Sequence, residues 1–155
     1  MKNLMLAILF IICMDCNEDD SCNWELIESA PVNNTVNQNL LNEVFSNEND
    51  YFKDFGDTLL IISDEQELFN ISNIETDMGI DFEKYTLVGG KFRTSSISNE
   101  ISTIALYKCN PRSEYRLEVI VKQCTECFAA IGNLYYWKIY PSSIDSKSNI
   151  LLTIK

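Results

Sequence analysis

The densest run of apolar and aromatic residues in the chain begins at Tyr115. From Tyr115 to Gln123, apolar and polar positions alternate, and this period of two predicts a strand with one buried face. The predicted buried positions are Tyr115, Leu117, Val119 and Val121. The segment from Phe128 to Tyr140 is rich in Tyr, Trp and Ile, which favour a second strand. Cys124-Thr-Glu-Cys127 joins the two strands, so we expect a hairpin at the centre of a sheet.

Four further segments have the composition of strands: Thr58 to Ser63, Tyr85 to Arg93, Glu100 to Lys108 and Ile150 to Ile154. The first is mostly apolar, which predicts an internal strand. The second contains Gly89 and Gly90, which predict a bulge or a sharp bend. In the third, alternation places Ile104 and Leu106 on one face and Ile101 on the other.

Two short helices are predicted before most of the strands. Val36 to Ser46 carries apolar residues on one helical face, and Thr35 and Gln38 have capping-box spacing at its start. We expect this apolar stripe to pack on the sheet; a helix that binds a partner is the alternative. A second capping-box match, Ser63 to Gln66, predicts a brief helix that ends at Phe69.

Together these elements predict an α+β fold with a mainly antiparallel sheet of about six strands and two short helices near the N-terminal side. A chain of 155 residues suits one globular domain with a sizeable core. We expect a leader at residues 1–15, an acidic, Asn-rich tether with a short helix at residues 16–50, and one compact domain at residues 51–155.

The N-terminal residues have the pattern of a signal peptide. Lys2 precedes the apolar run from Leu4 to Met14, which is shorter than the roughly 20 residues that span a bilayer. A short basic start, an apolar run and a cysteine at its end resemble the signal of bacterial lipoproteins, in which that cysteine is acylated. This resemblance implies lipidation of Cys16, with Cys13 as the alternative. Lipidation of Cys16 leaves an even number of downstream cysteines, which can pair completely.

The sequence Cys16-Asn-Glu-Asp-Asp also resembles the export signal of Bacteroidota-type surface lipoproteins. That resemblance implies a place in the bacterial cell envelope, on the outer face of the outer membrane, with the lipid anchor as the contact to the membrane. The alternative is a solvated acidic tether that carries no such address.

Charge and composition exclude several classes of function. The net charge of -11 argues against nucleic acid as a partner, because a phosphate-binding face needs clustered Lys and Arg. The absence of histidine excludes a Ser-His-Asp triad, a Cys-His pair and the usual catalytic zinc sites. No pair of carboxylates is set in an apolar context that would suit acid–base chemistry. We therefore expect a protein that is not an enzyme and holds no metal or cofactor.

The CxxC motif formed by Cys124 and Cys127 has three interpretations. A redox role needs the pair at a helix N-terminus, whereas both flanks predict strands. A four-cysteine zinc site lacks a second CxxC motif. Disulfides suit an exported protein, and four cysteines allow three connectivities. We favour Cys124 with Cys127 and Cys22 with Cys109.

Two groups of side chains are candidates for binding or modification. The aromatic residues near the end of the second predicted strand form a candidate platform for sugar or peptide. Because neighbouring residues of a strand face opposite ways, the exposed face carries either Tyr135 and Trp137 or Tyr136, Lys138 and Tyr140. This platform comprises Tyr135, Tyr136, Trp137 and Tyr140. For Trp137 itself we favour packing in the core over a place in this platform. Asp57-Thr58-Leu59 is similar to the O-glycosylation motif of Bacteroidota envelope proteins, which implies a sugar on Thr58.

From Thr58 onward, a strand, a short helix, Asp81-Phe82 and several strands follow in an order that resembles the C-terminal domain of protease-complex-associated bacterial lipoproteins. This resemblance brings no catalytic motif with it. We expect a lipid-anchored envelope protein whose domain binds a protein or glycan ligand outside the membrane. The first alternative is an inhibitor or accessory subunit of an extracellular hydrolase such as a protease, and the second is a CxxC thiol oxidoreductase.

Overall fold

The computed structural model describes residues 22–31, 36–46, 49–52, 56–72, 74, 77–110, 114–125, 130–141, 144 and 150–155. The helices are α1 (Gln38–Val44) and α2 (Glu65–Ser72), and a 3₁₀ turn lies at Asp50–Phe52. The strands are β1 (Trp24–Ile27), β2 (Thr58–Ile62), β3 (Tyr85–Thr94), β4 (Glu100–Cys109), β5 (Glu114–Lys122), β6 (Gly132–Pro141) and β7 (Ile150–Ile154). The predicted α+β class is therefore confirmed.

The described strands form two sheets, where the sequence predicted one sheet of about six strands. The four-stranded sheet has the order β1-β4-β5-β7, and the three-stranded sheet has the order β2-β3-β6. Neighbouring strands are antiparallel except β5 and β7, which run parallel. The additional strand is β1, which lies in the region that was predicted to be a tether without strands.

The predicted central hairpin is wrong, although both of its strands exist. β5 pairs with β4 and β7, whereas β6 pairs with β3 in the other sheet. The chain between β5 and β6 therefore passes from one sheet to the other. The short sequence separation between β5 and β6 favoured a hairpin. However, β5 pairs with β4 in antiparallel orientation over nearly its full length. This leaves β6 free to pair with β3.

The two sheets pack face to face around an inner core. Tyr115, Leu117 and Val119 of β5 are buried there, as the period of two predicted. Residues at even positions of β3 and β6 meet them from the other sheet: Val88, Phe92, Tyr136 and Tyr140. The inner face of each sheet is thus covered by the other sheet.

A second, helix-side core covers the opposite face of the three-stranded sheet. Leu87 of β3 and Ile139 of β6 pack there against both helices and the 3₁₀ turn. The apolar stripe of α1 enters this core, and Leu41, Val44 and Phe45 are buried in it. The molecule therefore has three layers, with the three-stranded sheet in the middle.

Both helices begin later than predicted. α1 has Asn37 as its N-cap, and the Asn37 side chain accepts a hydrogen bond from the backbone N–H of Leu40 at 3.2 Å; Thr35 lies outside the described residues. At α2, Asp64 accepts from the backbone N–H of Glu67 at 2.7 Å. The carboxylate of Glu67 in turn accepts from the N–H of Ser63 at 2.8 Å. Asp64, one residue after the predicted Ser63, is thus the N-cap, and the side chain of Glu67 bonds to the residue before the cap instead of the cap itself.

Two strand predictions also need correction. β2 was predicted to be internal, but it is an edge strand of the three-stranded sheet. In β4 the register shifts between Ile101 and Thr103, so Ile101 joins Ile104 in packing against the inner core. A β-bulge places these two residues on one face because its extra residue reverses the alternation.

Gly89 and Gly90 produce no register shift within β3. They allow close packing from both sides instead. A methyl group on Gly89 would overlap the ring of Phe45, and one on Gly90 would overlap the carbonyl group of Thr58. Glycine is thus required because neighbouring backbone and side-chain atoms occupy the space of a Cβ atom.

Gly90→Ala should lower the free energy of unfolding by about 1–3 kcal/mol, because the backbone of Thr58 cannot move aside without breaking the pairing of β2. Gly56→Ala is the matched control, since nothing lies within 4 Å of a methyl group there. The control should leave stability unchanged or raise it by up to about 1 kcal/mol. Urea unfolding measures both, and equal effects of the two substitutions would contradict the close packing at Gly90.

The described residues of both cores all follow Cys22. A chain that begins at Asn17 therefore lacks the predicted leader and retains all of the described packing.

Candidate functional site

The outer edge of β6 presents backbone groups that no described strand pairs with. β6 is the last strand of its sheet, and the carbonyl of Ile139 points away from β3 to accept the N–H of Ala30 at 2.8 Å. Because backbone direction alternates along a strand, the backbone groups of Tyr135 and Trp137 also point away from β3. Within the described part of the chain, these groups make no hydrogen bond.

An open groove of about 530 Å³ follows this edge. Asn42 and Phe45 from α1 and its C-cap form one wall, residues 101–104 of β4 form the other, and residues 135–138 of β6 lie between them. We call this the edge groove. Its position at the edge of the middle layer gives it access to side chains from both faces of the three-stranded sheet.

Trp137 is held in a defined orientation in the edge groove. Its indole Nε1–H donates a hydrogen bond to Oδ1 of Asn42 at 2.9 Å. Trp137 and Tyr135 are both half-buried and pack against the helix-side core. Tyr135 also meets the ring of Phe52 edge-on, with 5.8 Å between the ring centroids. Two aromatic side chains on one face of β6 are thus fixed before any ligand arrives.

The other two residues of the predicted aromatic platform lie inside the molecule. Tyr136 and Tyr140 are buried in the inner core, and burial raises the pKa of both phenols well above the ordinary value. The hydroxyl of Tyr136 donates to the carbonyl oxygen of Thr58 at 3.2 Å. The structure therefore reduces the accessible aromatic surface on β6 to Tyr135 and Trp137.

Among the described residues that line the edge groove, Lys138 alone carries a formal charge. Its side chain is half-buried and forms no ion pair with any described residue. This cation stands out in a chain whose net charge is -11. The local charge of the groove is thus opposite in sign to that of the chain as a whole.

A disulfide fixes β1 to the four-stranded sheet. Cys22 and Cys109 are bonded, with their Cα atoms 5.6 Å apart, and Cys109 lies opposite Trp24 in the pairing of β1 with β4. Cys124 is also a disulfide-bonded cysteine. Its expected partner Cys127 lies outside the described residues, as do Cys13 and the predicted lipidation site Cys16.

Thr58 begins the edge strand β2 and is half-buried. Its hydroxyl donates to the carbonyl oxygen of Gly56 at 3.0 Å. The neighbouring Asp57 accepts a hydrogen bond from the backbone N–H of Arg93 at 2.8 Å. Glycosylation of Thr58 stays a prediction.

The outer face of the four-stranded sheet carries a second cluster that the sequence reasoning missed. The guanidinium of Arg116 lies between the rings of Trp24 and Tyr107, at 4.5 and 5.4 Å from their centroids. Nearby, the buried carboxylate of Glu118 pairs with Arg116 at 3.2 Å and with Lys155 at 2.8 Å. Only the register of β1, β4, β5 and β7 brings these residues together. Because Glu118 bridges a cation of β5 and one that follows β7, we assign this cluster to support of the sheet.

Within the described residues, no group of three or more cysteine and carboxylate side chains is placed to hold a metal ion. None of the helices in the described residues is long and apolar enough to cross a membrane. Comparisons with family models, curated proteins and solved structures found no match. The edge groove is the candidate site because it combines fixed aromatic rings, unpaired backbone groups and one cation.

Proposed function

We propose that the protein is a non-enzymatic binding protein of the bacterial cell envelope. A lipid on Cys16 anchors it to the outer membrane, and its domain binds a protein or glycan ligand outside the membrane. The edge groove is the proposed binding site.

The hydrogen bond between Trp137 and Asn42 is the observation that supports this proposal most strongly. A tryptophan offers a large, rigid contact surface with few rotatable bonds, which is why tryptophan is common at the energetic centres of interfaces. Here the hydrogen bond fixes the indole beside an open groove. A ligand that contacts this ring does not have to order the rotamer of Trp137, so the entropic cost of binding is reduced.

The proposed location outside the cytoplasm is supported by the leader and by the cysteines. The leader resembles a lipoprotein signal, and the acidic residues after Cys16 resemble a surface-export signal. The Cys22–Cys109 bond and the bonded state of Cys124 suit an oxidising compartment. The anchor and the groove are separate parts of the proposal and need separate tests.

Radiolabelled palmitate should be incorporated into the full-length protein and into Cys13→Ala, but not into Cys16→Ala. The reason is that a lipoprotein signal has one acylated cysteine, and Cys16 leaves an even number of cysteines downstream. Expression in a bacterium with a lipoprotein pathway, followed by autoradiography, provides the measurement. Incorporation into Cys16→Ala at the wild-type level would contradict the anchor.

The chain that begins at Asn17 should retain a ligand from envelope extracts of the producing bacterium, and Trp137→Ala should reduce retention about tenfold or more, as for a residue at the centre of an interface. Trp24→Ala is the matched control, because Trp24 is the other tryptophan of the chain and stacks on Arg116 in the four-stranded sheet. Mass spectrometry and carbohydrate analysis identify the retained material. A hydrolase among it would favour an accessory or inhibitory role. Equal losses in both variants would contradict the proposed site.

A further inference from the structure

We infer that the ligand of the edge groove is an extended peptide segment, which pairs with β6 and becomes the fourth strand of the three-stranded sheet. This inference rests on the proposed function and specifies its ligand class. The argument starts from the backbone of β6, because that backbone sets the geometry that a ligand has to match.

Tyr135 and Trp137 direct their unpaired N–H and C=O groups into the edge groove. Alternate residues of a strand repeat every ~6.8 Å, and each presents one donor and one acceptor. An extended peptide has the same repeat and the same pair of groups. A glycan presents hydroxyl groups without this repeat, so the backbone of β6 favours a peptide.

The protein's own chain already forms one bond of this kind at the same edge. The N–H of Ala30 donates to the carbonyl oxygen of Ile139 at 2.8 Å, one alternate position beyond Trp137. This edge therefore accepts backbone hydrogen bonds from a neighbouring segment. A peptide in the edge groove would continue that pattern toward Tyr135.

The side chains around the groove indicate which peptide fits. Trp137 and Tyr135 lie on the face of β6 that packs on the helix-side core, whereas Lys138 projects to the other face. An added strand also alternates, so residues that face Trp137 are apolar and a residue that faces Lys138 is acidic. One carboxylate suffices, because the net charge of -11 disfavours a run of acidic residues.

The test uses a phage-displayed library of random ten-residue peptides, selected on the chain that begins at Asn17. Enriched peptides should combine apolar residues with one Asp or Glu. Synthetic copies are then N-methylated at one backbone position at a time. We expect losses in affinity of tenfold or more at every second position and small changes between them, because only alternate N–H groups point toward β6.

Variants of the protein assign the site. Trp137→Ala should abolish binding of the selected peptide, and Lys138→Glu should weaken it at least threefold and remove the preference for an acidic residue. Lys122→Glu is the control for charge, since Lys122 is an exposed lysine at the end of β5. Urea unfolding of each variant establishes that the fold is retained.

The outcomes separate this inference from the proposed function. A lack of enriched peptides, or N-methylation losses without a period of two, overturns strand addition. Glycans or folded proteins that are retained by the wild type but not by Trp137→Ala would support the proposed binding site and still overturn the inference of strand addition.

A dimer that forms in sedimentation experiments and is lost in Trp137→Ala would assign the edge of β6 to a second copy of the chain. That result would also overturn the inference. A peptide that binds equally to Trp137→Ala contradicts both proposals.

Discussion

Close packing against the glycine pair of β3 is the constraint on which the rest of the structure depends. The ring of Phe45 occupies the space where Gly89 lacks a side chain, and the backbone of Thr58 approaches Gly90 in the same way. The contact between Phe45 and Gly89 holds the C-terminal end of α1 against the three-stranded sheet. Asn42 lies on that helix and bonds to Trp137, so the orientation of the groove's tryptophan follows from the fit at Gly89.

The three-layer arrangement also explains where a ligand can reach the middle sheet. Both faces of the three-stranded sheet are covered, one by the helix-side core and the other by the four-stranded sheet. A ligand strand can therefore reach this sheet at its edge strands, β2 and β6, because an uncovered edge is a template for another strand. On the β6 side, the walls from α1 and β4 form a groove around that edge. The half-buried Lys138 gives this edge a charge that protects against indiscriminate strand pairing.

Much of the local structure follows from the sequence, whereas the pairing of strands does not. The alternation from Tyr115 to Val121 predicts which face of β5 is buried, and the apolar stripe of α1 predicts its packing. β1 escapes the pattern because it has only four residues and its pairing depends on β4 and on the Cys22–Cys109 bond. The hairpin prediction failed because alternation fixes a buried face but not a partner. The groove could not be predicted, since it requires β6 to be an edge strand.

Residue-resolved amide hydrogen exchange on the ligand-free chain that begins at Asn17 tests the central claim, that β6 is an edge strand with outward backbone groups at Tyr135 and Trp137. The structure predicts slow exchange at Tyr136 and Lys138, whose N–H groups point toward β3, and exchange at least a hundredfold faster at Tyr135 and Trp137. Equally slow exchange at all four amides would show that another strand pairs with this edge, and it would contradict the account.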